Sequence, residues 1–271
     1  MIKVDLHLHT SHSHGQDGVA AMYAASREKG LEMIGFSEHS PRPSGFDYPR
    51  DYRQRLHSAY PQYLAEVREI QAHDPNVLLG LELDWIPACP DFMESTINAY
   101  QYDYIIAGIH FLGTLGFDYS AADWSDPDSL QYSHRYEAYY ETMADMAASG
   151  LFHIVAHPDL IKLFSREYFT SWLASDRGKD CVLAALESVR DADMAMEVSS
   201  AGLRKPCGEI YPAPPIMAMA AELGIPISFG SDAHCVNTPA FAFADLAAYA
   251  HAFGYEQSVY FRKGTRFFCE F

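Results

Sequence analysis

The sequence predicts an α/β barrel of seven β/α units, on three observations. Seven short apolar, β-rich runs alternate with helical stretches, the pattern of a parallel sheet with right-handed crossovers. Seven such units crowd an open sheet, whereas a barrel closes its edges, and 271 residues is a usual length for one. The polar residues of interest gather at the C-terminal ends of the runs, where barrels carry their active sites.

"IKVDLHL" (residues 2–8) reads as the first strand, with a helix over residues 19–29 and a turn at Gly30. "EMIGFS" (32–37) is the second strand, followed by a Pro-rich loop over residues 40–50 and a long helix over 53–72. "VLLGLELD" (77–84) is the third strand and "DYIIAGIHFLG" (103–113) the fourth. Residues 116–130 read as loop, and a helix over 133–149 stops at Gly150. "LFHIVAH" (151–157) is the fifth strand. A helix over 179–192 precedes "MAMEVSS" (194–200), the sixth. A helix over 214–223 stops at Gly224 and leads to "IPISFGSDAH" (225–234), the seventh. The end, "SVYFRKGTRFFCEF", reads as a hairpin turning at Lys263–Gly264. The whole chain, residues 1–271, reads as one domain with a sizeable core.

Composition narrows the function. Nineteen Lys+Arg against 36 Asp+Glu give a formal charge of −17, which argues against nucleic acid and anionic membranes as partners. A small anionic substrate stays open, because bound metal ions reverse the local field. Cys89, Cys181, Cys207, Cys235 and Cys269 are widely spaced and form no C-x-x-C pair, so neither a zinc ribbon nor a disulfide framework is expected. The opening "MIKVDLHLH" carries no apolar leader and no run approaches the ~18 apolar residues of a membrane span, so a cytoplasmic protein is expected.

"VDLHLHTSHSHGQDG" holds His7, His9, His12 and His14. Residues two apart on a strand share a face, so His7 and His9 can grip one metal ion, and Asp5 sits one step deeper on that face to orient a ligand. The alternative reading is a pair of interior histidines satisfied by hydrogen bonds. The spacing recurs in "GSDAH", with Asp232 and His234. Between these ends, "SEH" offers Glu38 and His39, "GLELDW" offers Glu82, "GIHFLG" offers His110 and "VAHPD" offers His157. Each alone reads as structural, but together they exceed the four to six ligands of one ion. A buried glutamate within "LLGLELD" is costly unless paired or metal-bound. Two or more ions bridged by Glu82 are therefore expected. Oxygen and imidazole ligands without thiolate suit Zn, Mn or Fe, and such centres suit hydrolysis. Cations stand near the same mouth. Arg204 and Lys205 follow the sixth strand, Lys162 follows His157, and Arg42 follows His39. Arg204 reads as a phosphate contact. Lys162, Lys205 and Arg42 read equally as substrate contacts or solvated surface charges.

The ordered signals "DLHLHT", "SEHS", "GLELDW", "DYIIAGIHFLG", "LFHIVAHPDL", "AGLRKP…EIYPAP" and "GSDAH" resemble the histidinol-phosphatase branch of the PHP (polymerase and histidinol phosphatase) superfamily, over almost the full length. The resemblance implies a distorted barrel of seven β/α units and three divalent ions. By motif, one ion takes His7, His9, bridging Glu82 and Asp232. A second shares Glu82 and takes His110 and His157. The third takes His39, His234 and one residue of the loop after "HLHT": His14, with His12 and Asp17 as alternatives. Glu38 departs from the family's commoner aspartate and is expected to support a ligand from behind. The implied activity is hydrolysis of L-histidinol phosphate, a small phosphorylated amino alcohol, by metal-activated hydroxide, with Glu82, Asp232 and Arg204 at the reacting centre. Another phosphate ester, or a C–N bond as in amidohydrolase barrels, are the alternative substrates.

Overall fold

A computed structural model describes residues 1–48, 51–125 and 129–271, so residues 49–50 and 126–128 of the two expected loops lie outside the described residues. In chain order the elements are β1 (Val4–Leu8), α1 (Val19–Glu28), β2 (Met33–Phe36), α2 (Tyr52–His73), β3 (Val77–Asp84), α3 (Pro90–Asn98), β4 (Tyr104–Gly108), β5 (Phe111–Leu112), β6 (Leu115–Gly116), α4 (Ser129–Ala148), β7 (Ile154–Val155), α5 (Arg166–Ala174), α6 (Asp176–Asp191), β8 (Ala195–Ser199), α7 (Pro214–Glu222), β9 (Ile227–Gly230), α8 (Phe243–Ala252), β10 (Gln257–Arg262) and β11 (Thr265–Glu270).

Seven strands form one sheet in the order β1-β2-β3-β4-β7-β8-β9, and every neighbouring pair is parallel. The seam between β1 and β9 closes just beyond the strand ends. There the His9 N–H donates to the Ala233 carbonyl at 2.9 Å and the Ala233 N–H donates to His7 at 3.2 Å. This is the expected seven-unit barrel, distorted at one seam. The expected fifth strand is shorter than its apolar run, with its ladder confined to Ile154 and Val155. Helices α3, α5 and α8 were not expected from the pattern. They span nine, nine and ten residues.

An outer core packs the strands on the helices, and a smaller inner cluster fills the barrel's lower half with Val4, Leu6, Leu78, Tyr104, Ile106 and Ala195. Tyr104 fits because glycines face it. A Cβ on Gly35 would stand 2.1 Å from its hydroxyl, and one on Gly80 would stand 2.4 Å from its Cζ. Val259 and Phe261 of the β10–β11 hairpin complete this cluster, so the hairpin stoppers the N-terminal end. Its turn is Lys263–Gly264, both at positive φ, as a two-residue hairpin requires. The upper half is left for polar side chains.

Candidate metal centre

Alternation along β3 carries the wall from apolar to polar. Leu78 joins the inner cluster, Gly80 gives way to Tyr104, and Glu82 and Asp84 follow on the same face. In β1 the same change needs an irregularity. Between Asp5 and Leu8, two residues, Leu6 and His7, stand against one of β2, Gly35. Val4 and Leu6 face the inner cluster before it, and Leu8 joins the outer core after it. This shift turns His7 and His9 inward. It also corrects the expectation for Asp5, whose carboxylate accepts the backbone N–H groups of Ser231 (2.9 Å), Ala240 (3.0 Å) and His7 (3.3 Å) and so fastens the backbone of the seam instead of meeting a ligand's ring.

Glu82, 1% exposed, is the hub. Its Oε2 lies 2.8 Å from His39 Nδ1, 3.4 Å from His9 Nε2 and 3.5 Å from His7 Nε2. Its Oε1 lies 3.0 Å from His157 Nε2 and 3.6 Å from His110 Nε2. Asp232 Oδ1 lies 3.3 Å from His9 Nε2 and 3.4 Å from His234 Nδ1. Three groups have donor atoms within 4.8 Å of one another: His7, His9 and Glu82; Glu82, His110 and His157; and His9, His39 and His234. His157 (φ 28), a member of the second group, and Asp232 (φ 49), beside the first and third, hold left-handed backbone that non-glycine residues seldom adopt, a strain that accumulates at functional sites.

Metal ions fit this chain on the evidence of its orphaned atoms. His7 Nε2, His9 Nε2, His234 Nε2 and Glu82 Oε2 are buried without a hydrogen-bond partner. Such atoms are costly to leave unmatched, and a divalent ion is the group that matches several lone pairs converging on one point. Burial favours neutral imidazole at His39 and His234, whose pKa values are pushed well down, also by neighbouring histidines. For His7, His9 and His110 burial acts the same way but is outweighed. Glu197 and Glu82 raise His7 well up, Asp232 and Glu38 raise His9 to about 9, and Asp84 and Glu82 raise His110 to about 9.

The supporting carboxylates hold the far nitrogens of these rings. Glu38 Oε1 lies 3.2 Å from His9 Nδ1 while its Oε2 accepts the Thr10 N–H at 2.9 Å, so it stands behind a candidate ligand. Asp84 holds His110 Nδ1. Glu197 Oε1 lies 2.6 Å from His7 Nδ1, and its Oε2 accepts the His157 N–H at 2.8 Å. Sequence reasoning singled out neither Asp84 nor Glu197. Both carried a signal: Asp84 is two residues from Glu82, and Glu197 interrupts an apolar strand.

The other candidates separate. His14 stacks on His39 and packs tilted against His234, with ring centres 5.0 and 4.1 Å apart, and its Nδ1 meets the Tyr52 hydroxyl at 2.9 Å. His12 Nε2 pairs instead with Glu66 at 3.0 Å, and Asp17 accepts the Val236 N–H at 2.9 Å. Lys205 Nζ lies 2.7 Å from Asp232 Oδ2, at the edge of the cluster. Lys162 and Arg204 take protein partners. Lys162 is fully buried between Asp159 and Glu209, each at 2.7 Å, because a buried ammonium needs carboxylates more than it needs the mouth. Arg204 Nη2 donates to the carbonyls of Ser231 and, at 3.2 Å, Asp232. Arg42 is no surface charge: it is 1% exposed and bound through Nε to Asp84.

A parallel barrel with a carboxylate-bridged histidine cluster at its C-terminal mouth defines a metal-dependent hydrolase. The family model described as "PHP domain" matches residues 5–201, and the chain belongs to the PHP family. It is 36% identical over 251 residues to the "Probable histidinol-phosphatase" of Deinococcus radiodurans, covering 89% of this chain and 90% of that one. It is 28% identical over 267 residues to the "Histidinol-phosphatase" of Bacillus subtilis, covering 90% and 97%. Its fold matches the histidinol phosphate phosphatase of Lactococcus lactis, crystallised with zinc, L-histidinol and phosphate, at a TM-score of 0.77 and 17% identity over 98% of both chains.

Proposed function

We propose that this chain is a metal-dependent phosphomonoesterase that hydrolyses L-histidinol phosphate to L-histidinol and phosphate, a step of histidine synthesis. The observation that carries the reading is Glu82, whose two oxygens face five imidazoles in two groups. The histidinol-phosphatase names of the Deinococcus and Bacillus relatives support the substrate.

Three divalent ions are assigned. His7, His9, Glu82 and Asp232 hold one; Glu82, His110 and His157 hold another; His39, His234 and His14 hold the third. Zinc, present in the Lactococcus protein, is the first metal to test, with manganese and iron after it. When bound, such ions supply hydroxide at neutral pH and polarise phosphoryl oxygens. The chain's own residues orient and balance the site. Glu197, Glu38 and Asp84 fix the rings of His7, His9 and His110 from behind. Asp232 turns one oxygen to His9 and the other to Lys205, which places an ammonium at the edge of the cluster for a phosphoryl oxygen. Arg204 acts by position: its two carbonyl bonds hold the turn that carries Asp232. Lys162 ties the segment after β8 to the mouth through Glu209 and the Ile210 carbonyl. Residues 1–271 form one domain in this reading. The chain works in the cytoplasm on a small substrate, and its −17 charge disfavours nucleic acid. Among the described residues no helix is long and apolar enough to cross a membrane.

The test is phosphate release from a panel of monoesters, with bound metal quantified on the same sample. Histidinol phosphate should be hydrolysed fastest, with three ions per chain. No release from histidinol phosphate alongside ready hydrolysis of other monoesters would overturn the substrate.

A further inference from the structure

Beside His39 and His110 lies a pocket of about 410 Å³, and Arg42 forms part of its wall. The position of this arginine is unusual for a cation. The guanidinium carbon sits 4.6 Å from the ring centre of Tyr48, 5.3 Å from that of Tyr52 and 4.9 Å from that of Phe111. Nε is spent on Asp84, whose other oxygen holds His110. Nη1 and Nη2 are buried and have no hydrogen-bond partner. Rings fix the plane of the fork, one carboxylate fixes its rotation, and the two remaining nitrogens are left as paired donors. Neither Lys162, Lys205 nor Arg204 offers this, since each has its head group on protein oxygens.

We propose that Arg42 is the phosphate clamp of this site, donating through Nη1 and Nη2 to two non-bridging oxygens of the phosphoryl group. A planar fork with two parallel donors matches a phosphate edge, and donors buried beforehand lose no water and little side-chain freedom on binding. Tyr48 and Asp118, joined by a hydrogen bond, also line the pocket, so a carboxylate is on hand there for the cationic amino-alcohol end of a substrate. The inference rests on the phosphatase reading only in taking the anion to be a phosphoryl group.

The experiment is calorimetric titration of the zinc-loaded protein with inorganic phosphate and, separately, with L-histidinol. The parent, Arg42→Lys and Arg42→Met are compared, with zinc measured on each sample. Lysine keeps a cation for Asp84 but removes the fork, so Arg42→Lys should retain zinc, weaken phosphate binding about ten- to a hundred-fold and leave L-histidinol unchanged. Arg42→Met should weaken phosphate at least as much. Unchanged phosphate affinity in Arg42→Lys with zinc retained overturns the proposal. So does a loss confined to Arg42→Met that follows its zinc content, which would make Arg42 only a prop for Asp84 and His110. Weaker L-histidinol with unchanged phosphate overturns it too. If phosphate binding falls as expected while the parent fails to hydrolyse histidinol phosphate, the clamp stands and the substrate assignment falls.

Discussion

Glu197→Gln tests how far the metal site depends on a group that touches no metal. Glu197 is 1% exposed and uses both oxygens, one on His7 Nδ1 at 2.6 Å and one on the His157 N–H at 2.8 Å. Glutamine keeps the shape but has one carbonyl oxygen for two N–H groups. If that oxygen keeps His7, a charge-assisted bond becomes a neutral one, a loss of about 1–1.5 kcal/mol. The amide nitrogen then faces the His157 N–H, donor against donor, and an unmatched buried donor costs about 1–3 kcal/mol. The total is roughly 2–4 kcal/mol, split between folding and the His7 and His157 metal positions. Calorimetry of the chelated protein should show a Tm lower by about 4–8 °C if folding takes it all. Titration with zinc should show affinity down about 10- to 100-fold if the site takes it. A variant that matches the parent in both would refute the reasoning that a carboxylate two bonds behind the metal sets the geometry of two ligands at once.

Three further outcomes follow from the same geometry. A Cβ on Gly230 would lie 2.0 Å from Glu197 Oε1 and 2.7 Å from His7 Cβ, so Gly230→Ala should lose bound metal in elemental analysis by more than about ten-fold in affinity. Tyr104 donates to the Leu6 carbonyl at 2.7 Å inside the barrel, so Tyr104→Phe should destabilise by about 1–2 kcal/mol in urea while metal content stays at the parent's value. Lys205→Met should raise KM for a phosphomonoester more than it lowers kcat, because Lys205 stands at the edge of the cluster.

The strand-end ligands were legible because the pattern concentrates on them. Two residues apart on a strand means one face, so the H-x-H of His7 and His9 and the D-x-H of Asp232 and His234 carried their geometry in their spacing. Glu82 was legible because a carboxylate in an apolar run needs a partner. Direction was harder to read. Asp5 has the same spacing from His7 as His9 does, yet the irregularity in β1 sends it to the seam, and nothing in "VDLHL" marks an extra residue against β2. Lys162 and Arg204 take partners 47 and 27 residues away, set by where the segment after β8 folds back, which no local pattern encodes. Arg42 shows the reverse. It reads as an ordinary loop cation until the chain brings Tyr48, Phe111 and Asp84 around it.

The charge of the assembled site sets how metal binding and folding depend on pH. Glu38, Glu82, Asp84, Glu197 and Asp232 bring five buried carboxylates to the mouth, against the cations Arg42 and Lys205. Burial alone would raise Glu38, Glu82 and Asp232, but the histidines and cations around them hold Glu82 and Asp232 well below the usual range and Glu38 at about 2. Three negative charges remain, and the polypeptide balances them with protons on His7, His9 and His110, the rings whose pKa values are raised. Ligand nitrogens must be unprotonated, so metal ions have to displace those protons. At pH 7.5 metal loading should release about three protons per chain, and apparent affinity should rise with pH and level off above about 9. Folding shows the opposite sign in the presence of chelator. A histidine raised from 6.5 to about 9 stabilises the chain fully below 6.5, and that stability is lost as pH rises through 9. Zinc titrations in buffers of different ionisation enthalpy count the protons. Release of fewer than about one would mean that the ligand imidazoles are already neutral before metal binds, and the charge argument for a multi-metal centre at Glu82 would fail.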